Sequence, residues 1–260
     1  MDLAVDDPGG SALPVVCLPM FGATRAMTAA AFGSAFAGAG LREIYLDLPG
    51  HGDSAPEGPA DSRTVLAIVC SWLERHLGGP ALLAGSSYGA YLAAAIGRQR
   101  PDLARGLLLV CPGARVGSAG RDLPPEEPPT AAPSWLDACP PQLRAHLDLA
   151  LGHRTAAVVA TVLQALEAGG PGDEQYQDQL SAGRGYALED EDANVAFGGP
   201  VTVVTGRHDR IVGYADQFRS MRNYPRGSYS VVDAAGHYLP FEQPGLLRAL
   251  TQDWLHRCGI

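Results

Sequence analysis

Ala81-Leu82-Leu83-Ala84-Gly85-Ser86-Ser87-Tyr88-Gly89-Ala90-Tyr91-Leu92-Ala93-Ala94-Ala95 decides how this chain is read. Residues 81–85 are apolar or small, follow Gly78-Gly79-Pro80, and predict a short buried strand. From Tyr88 to about Arg100 the composition predicts a helix, with Pro101 just beyond its end. Gly85-Ser86-Ser87-Tyr88-Gly89 lies directly between the two and reads Gly-x-Ser-x-Gly. So sharp a strand-to-helix turn strains its central residue and admits only small neighbours. It lifts the Ser87 hydroxyl above the strand end, over a helix N-terminus whose free N–H groups carry partial positive charge. A five-residue match alone also describes any small-residue turn with two incidental serines. The strand before it and the helix after it supply the context the motif requires. Ser86 is a rival hydroxyl, but its neighbours do not form the motif.

Outward from this turn, strand and helix patterns alternate. Strands are predicted at residues 15–18, 43–47, 106–110, 201–205 and 229–233. Helical patterns cover 28–39, 62–77, 214–223 and 244–258, with Asp61 or Ser62 as a cap and Pro244 in a first turn. Strands separated by helices imply βαβ units and a mostly parallel central sheet flanked by helices, the α/β class. After the fourth of these core strands the pattern changes. Residues 114–134 are rich in proline and read as a linker or extended arm, and 141–182 look helical with breaks at Gly152 and at Gly169-Gly170-Pro171. The expected organisation is a core formed by 1–113 and 197–260, interrupted by a helical cap at 114–196. An insertion at the carboxyl end of a strand is well placed to cover the ligand crevice of an open sheet.

Composition bounds the function. The 260 residues are 46% hydrophobic and 18% charged, enough for a real core. The formal net charge of −9 argues against a phosphate-tracking nucleic-acid binder. All 19 basic residues are arginine, which excludes the phosphate-loop lysine, Schiff bases and Ser–Lys dyads. Five widely spaced cysteines, Cys17, Cys70, Cys111, Cys139 and Cys258, form no Cys-x-x-Cys pair and read as buried free thiols of a reducing, cytoplasmic setting. The N-terminus lacks a signal pattern, and no stretch approaches the ~18 consecutive apolar residues of a membrane span. The scattered histidines offer no metal spacing, and no nucleotide fingerprint is present, so no cofactor is expected.

A serine hydroxyl needs a base, itself oriented by an acid, and on this architecture the chain order is Ser, then Asp or Glu, then His. Asp209 follows the strand at 201–205 in Gly206-Arg207-His208-Asp209. His237 follows the last strand in Gly236-His237-Tyr238. Both therefore fall at the same sheet edge as Ser87. Each alone reads as a surface loop residue; order and strand position together make them acid and base. His51 sits in a turn and reads as structural, and His208 as a loop residue. Tyr238 either lines the pocket or fills the core. Within the insertion, Trp135, His146, His153, Arg154, Tyr176, Arg184 and Tyr186 are candidate substrate contacts, none singled out as a site.

These segments together resemble the α/β-hydrolase superfamily over about 15–113 and 197–260. The likeness includes Asp47-Leu48-Pro49-Gly50-His51-Gly52-Asp53-Ser54, similar to the Asp-x-Pro-Gly-His-Gly-x-Ser segment of that family. The resemblance implies that Ser87 is the nucleophile, Asp209 the acid and His237 the base. Some members carry the acid after the fourth strand, where this chain has Cys111-Pro112-Gly113 and no carboxylate. The resemblance also implies an oxyanion hole from the backbone N–H groups of Tyr88 and Phe21. Here Pro19-Met20-Phe21-Gly22 stands where the family often has His-Gly, which places a methionine where the backbone needs unusual angles if a glycine is required. The expected activity is hydrolysis of a small ester, thioester or lactone through an acyl-enzyme, with a small-molecule acyl substrate as partner. Acyl transfer, amide cleavage or carbon–carbon cleavage of a dienoate-type ketone use the same residues, and a non-catalytic binding module on the same fold is the alternative from another class.

Overall fold

The computed structural model describes residues 2–115, 120–125 and 135–260. Much of the proline-rich stretch read as a linker, 116–119 and 126–134, lies outside the described residues.

Seven strands form one sheet: β1 (Val5–Asp6), β2 (Pro14–Leu18), β3 (Arg42–Leu46), β4 (Ala81–Ser86), β5 (Ala104–Val110), β6 (Val201–Gly206) and β7 (Gly227–Val232). Their order is β1-β3-β2-β4-β5-β6-β7. All neighbours are parallel except β1, which pairs antiparallel with β3 through Val5 and Leu46. The α/β class and the mostly parallel sheet are as expected from the sequence. β1 is additional. Two residues carry no periodicity, so nothing in the pattern announces them.

Every residue of β4 and β6 is buried, as parallel strands covered on both faces require. The alternation of side chains divides the core. Val15, Cys17, Leu82, Ala84, Leu108 and Val110 face the layer holding α1 (Arg25–Phe36) and α9 (Pro244–Arg257). Val16, Leu18, Leu83, Leu107 and Leu109 face α2 (Ser62–His76) and α3 (Tyr88–Gln99) on the other side. Asp61 caps α2 by accepting from the Thr64 N–H at 2.7 Å, and Thr24 caps α1 by accepting from Met27 N–H. The remaining core helices are α7 (Ala215–Ser220), which ends in a tighter turn at Met221–Asn223, and the short α8 (Leu239–Glu242).

Between β5 and β6 lie α4 (Arg144–Ala150), α5 (Ala156–Leu166) and α6 (Glu174–Ala182). The segment is fastened at two places. At its far end Arg98 of α3 grips Asp190 with Nε and Nη2 at 2.7 and 2.9 Å, while the Leu188 N–H donates to the Tyr91 hydroxyl at 2.7 Å. The guanidinium holds the Asp190 carboxyl below its ordinary pKa. At the end of α4 the Arg210 N–H donates to the Leu149 carbonyl at 3.1 Å and the His237 N–H to the Ala150 carbonyl at 2.6 Å.

The topology also fixes where a ligand can sit. β2 leads to β3 on one side, and the chain then returns across β2 to enter β4 on the other. The loops after β2 and β4 therefore diverge and open a crevice at the carboxyl ends of the strands, the place where open parallel sheets bind ligands. Phe21 lies in the first of these loops and Ser87 in the second.

Candidate functional site

Ser87 occupies the junction of β4 and α3 with φ 53° and ψ −115°. Such a backbone in a non-glycine residue costs of order 1–3 kcal/mol and persists only where its surroundings enforce it. Here the Ser87 N–H is held by the Val110 carbonyl of β5 at 2.9 Å, and the Ser87 carbonyl accepts the first helical bond from Tyr91 N–H at 3.0 Å. The two motif glycines answer to space. A Cβ on Gly85 would stand 2.5 Å from the Gly89 carbonyl carbon, and one on Gly89 would stand 2.5 Å from the Pro19 carbonyl oxygen. The helix can start so abruptly only because strand and helix backbones touch there.

Asp209, fully buried in the loop after β6, is fixed by two amides. The Ile211 and Val212 N–H groups donate to Oδ1 at 2.9 and 3.0 Å. Oδ2 is left for His237 Nδ1, at 2.8 Å. A carboxylate only accepts, so Nδ1 carries the proton and Nε2 presents its lone pair. That lone pair faces Ser87 Oγ at 2.9 Å. The structure thus joins the three residues singled out in the sequence in one hydrogen-bonded line.

The first-loop amide shows no sign of the strain that a methionine raised as a concern. Met20 and Phe21 have ordinary negative φ, and the turn's positive φ, 74°, falls on Gly22. Among the described residues neither the Phe21 nor the Tyr88 N–H donates to a backbone acceptor; at Tyr88, the first residue of α3, this is the usual state of a helix start. The Phe21 ring is held edge-on by His51, Tyr88 and Tyr186, with centroids 5.3, 5.9 and 5.7 Å away. His51 itself is fully buried, bonded through Nδ1 to the Pro49 carbonyl at 2.9 Å, and burial lowers its pKa.

Ser87 and His237 open into a cavity of about 400 Å³. Met20, Phe21, Met27, Leu166, Ile211 and Tyr238 give it an apolar wall. Polar groups come from Arg121, His146 and Tyr186. The Tyr238 hydroxyl meets His146 Nε2 at 3.0 Å. Burial raises the Tyr238 pKa to about 12, so the phenol stays protonated. Of the insertion candidates, His146 and Tyr186 therefore line the cavity. Trp135 is buried under the Arg154 guanidinium, 4.9 Å from its centre, and Tyr176 is buried with its hydroxyl directed to the Pro59 carbonyl at 3.4 Å. Arg184 borders a separate surface hollow, and His208 lies 3.5 Å from Asp233 at the surface. Met27, Leu166, Ile211 and Arg121 were not singled out in the sequence. They come from four separate segments, and only the bare expectation of a covering insertion hinted at two of them. A hollow of similar size on α2, lined by Glu57, Arg63, Ile68 and Arg75, gathers no histidine or cysteine.

Cys111 adds a feature the sequence did not suggest. Its donor atom lies within 4.8 Å of those of Asp209 and His237, a grouping that could in principle hold a metal. The chemistry of the set speaks against it. Burial raises the Cys111 thiol pKa far above normal, and the Asp209 oxygens already serve two amides and an imidazole. The described cysteines are all unpaired and buried. No helix among the described residues is long and apolar enough to cross a membrane.

A strand-edge serine on a strained turn, linked through histidine to a buried aspartate at the switch point of a parallel sheet, marks a class of hydrolytic α/β proteins. The chain belongs to the alpha/beta hydrolase family, whose model matches residues 15–250. No curated protein matches it in sequence. Among solved structures it is similar to an alpha/beta superfamily hydrolase from Oenococcus oeni PSU-1, with 24% identity, TM-score 0.85, and coverage of 99% of this chain and 97% of that one. A thermophilic esterase from Thermogutta terrifontis is 22% identical, with TM-score 0.69 over 99% and 94% of the two chains. An N-acyl homoserine lactone degrading enzyme is 17% identical, with TM-score 0.68 over 96% of each.

Proposed function

We propose that this hydrolase cleaves small carboxylic esters, thioesters or lactones, with Ser87 as nucleophile, His237 as base and Asp209 as the orienting acid. The observation that carries this reading is the pair of hydrogen bonds on His237, 2.9 Å to Ser87 Oγ and 2.8 Å to Asp209 Oδ2. His237 Nε2 takes the Ser87 proton as Oγ bonds to the substrate carbonyl carbon. The carbonyl oxygen becomes an oxyanion, received by the N–H groups of Tyr88 and Phe21. The oxyanion collapses, the alcohol or thiol leaves with the proton from His237, and an acyl-enzyme remains. Water, deprotonated by the same nitrogen, attacks that ester and releases the acid and Ser87. An apolar cavity of about 400 Å³ suits a small acyl substrate. Residues 114–196 act as a cap, which is supported by the presence of Arg121, His146, Leu166 and Tyr186 in the wall of that cavity. The esterase and the lactone-degrading enzyme of similar fold agree with ester or lactone chemistry. Five unpaired thiols agree with a reducing compartment.

The test is covalent labelling with a fluorophosphonate and hydrolysis of short aryl esters and thioesters. Wild type takes one label, on Ser87, and Ser87→Ala takes none and loses at least ~10³-fold in kcat. A label elsewhere, or an active Ser87→Ala, rejects the assignment.

A further inference from the structure

Glu242 is a buried carboxylate that the proposed mechanism leaves unused. It sits at the end of α8, only 4% exposed, and no cation is bonded to it among the described residues. Three backbone amides from two distant segments converge on it instead. Oε1 accepts from the Gly236 N–H at 2.8 Å. Oε2 accepts from Gly152 and His153 N–H at 2.7 and 2.6 Å. Gly236 immediately precedes His237, and Gly152-His153 joins α4 to α5. The two segments touch closely enough that a Cβ on Gly152 would stand 2.6 Å from the Ala235 carbonyl oxygen.

Resting on the reading of His237 as base, we propose that Glu242 is a positioning residue whose carboxylate ties the base loop and the α4–α5 junction to one point, so that the placement of His237 and the seating of the segment above the cavity are set together. Three N–H donors need an acceptor with open lone pairs on both oxygens, which an ionised carboxylate supplies in full. A protonated carboxyl surrenders part of that capacity. A glutamine offers one oxygen and turns an NH₂ donor toward one of the amides. The charge matters as well as the shape. Asp209 and Cys111, at the end of β5, interact electrostatically with the carboxylate, His153 bonds to it through its backbone N–H, and His237 follows its Gly236 partner directly in the chain. Negative charge at Glu242 favours the imidazolium that forms when His237 takes the Ser87 proton. The group titrates where this can be seen, because burial raises its pKa to about 7 against the pull of the three amides.

The experiment compares wild type with Glu242→Gln on an aryl ester across pH and follows the backbone amides of isotope-labelled wild type by NMR. The expected results are a kcat lower by roughly 10- to 100-fold in Glu242→Gln with KM changed far less, and an acid limb of kcat/KM that reports two coupled protonations in wild type and one in the variant. In wild type the Gly152, His153 and Gly236 amide protons should titrate with one shared midpoint near 7, a readout that stands even if the variant fails to fold. A folded Glu242→Gln with wild-type kcat overturns the inference. So does a slower variant whose acid limb keeps the wild-type shape, or a set of three amides that do not titrate together. An active Ser87→Ala would instead strike at the hydrolase reading itself, whatever Glu242 does.

Discussion

Asp209 and His237 share a single hydrogen bond, Oδ2 to Nδ1 at 2.8 Å, because the other aspartate oxygen is fully occupied by the Ile211 and Val212 amides. Asp209→Asn keeps the size but not the polarity. The two amides need an oxygen, so the NH₂ of the asparagine must face His237. The imidazole then takes the other tautomer, with its proton on Nε2, and cannot accept from Ser87. kcat should fall by ~10⁴-fold with the fold intact. Steady-state kinetics beside a circular dichroism melt check this, and a drop of less than tenfold would argue that Asp209 is not the orienting acid.

Gly89 serves space and not flexibility. Its missing Cβ lets α3 begin against the Leu18 and Pro19 carbonyls. Gly89→Ala should therefore destabilise the chain by about 3 kcal/mol or more, among the larger single-residue effects, because the atoms in the way are backbone. Urea denaturation would show it, and Gly79→Ala, at a position with open space around it, provides the contrast.

Stability should depend on pH through Glu242. Burial raises its pKa from the ordinary 4.5 to about 7, so the folded chain holds this proton more tightly than the unfolded chain does. The associated stability is complete below about 4.5 and is lost as pH rises through about 7. Its size is on the order of 3 kcal/mol. Asp190, whose pKa lies below normal beside Arg98, acts in the opposite sense at lower pH and does not mask the change. Unfolding free energies at pH 5.5 and pH 8.5 should differ more in wild type than in Glu242→Gln. Equal differences would mean that the carboxyl does not titrate in the folded chain over that range.

How much was legible in the sequence varied with how local the physics is. Gly85-Ser86-Ser87-Tyr88-Gly89 declared its turn because strand, small residues and helix are consecutive. Asp209 and His237 were singled out by their place after strands, and the structure brings both into hydrogen-bond reach of one line with Ser87. β1 escaped because two residues have no period. The cavity wall escaped for another reason. Met27 belongs to α1, Leu166 to α5 and Ile211 to the loop that carries Asp209, and each looks like ordinary core until three segments fold onto one space. Glu242 is the sharpest case. Nothing in its neighbourhood announces a role, and its partners Gly152 and His153 lie 90 and 89 residues upstream.

The double fastening of residues between β5 and β6 limits how this enzyme can be rebuilt. Leu149 and Ala150, at the end of α4, are bonded to the loops that carry Asp209 and His237, and Leu188 and Asp190, further along, are bonded to Tyr91 and Arg98. The stretch is thus no interchangeable cassette. Transplanting the corresponding piece from a relative to alter selectivity would disturb the His237 imidazole along with the cavity walls, unless the donor brought matching carbonyls to those same amides.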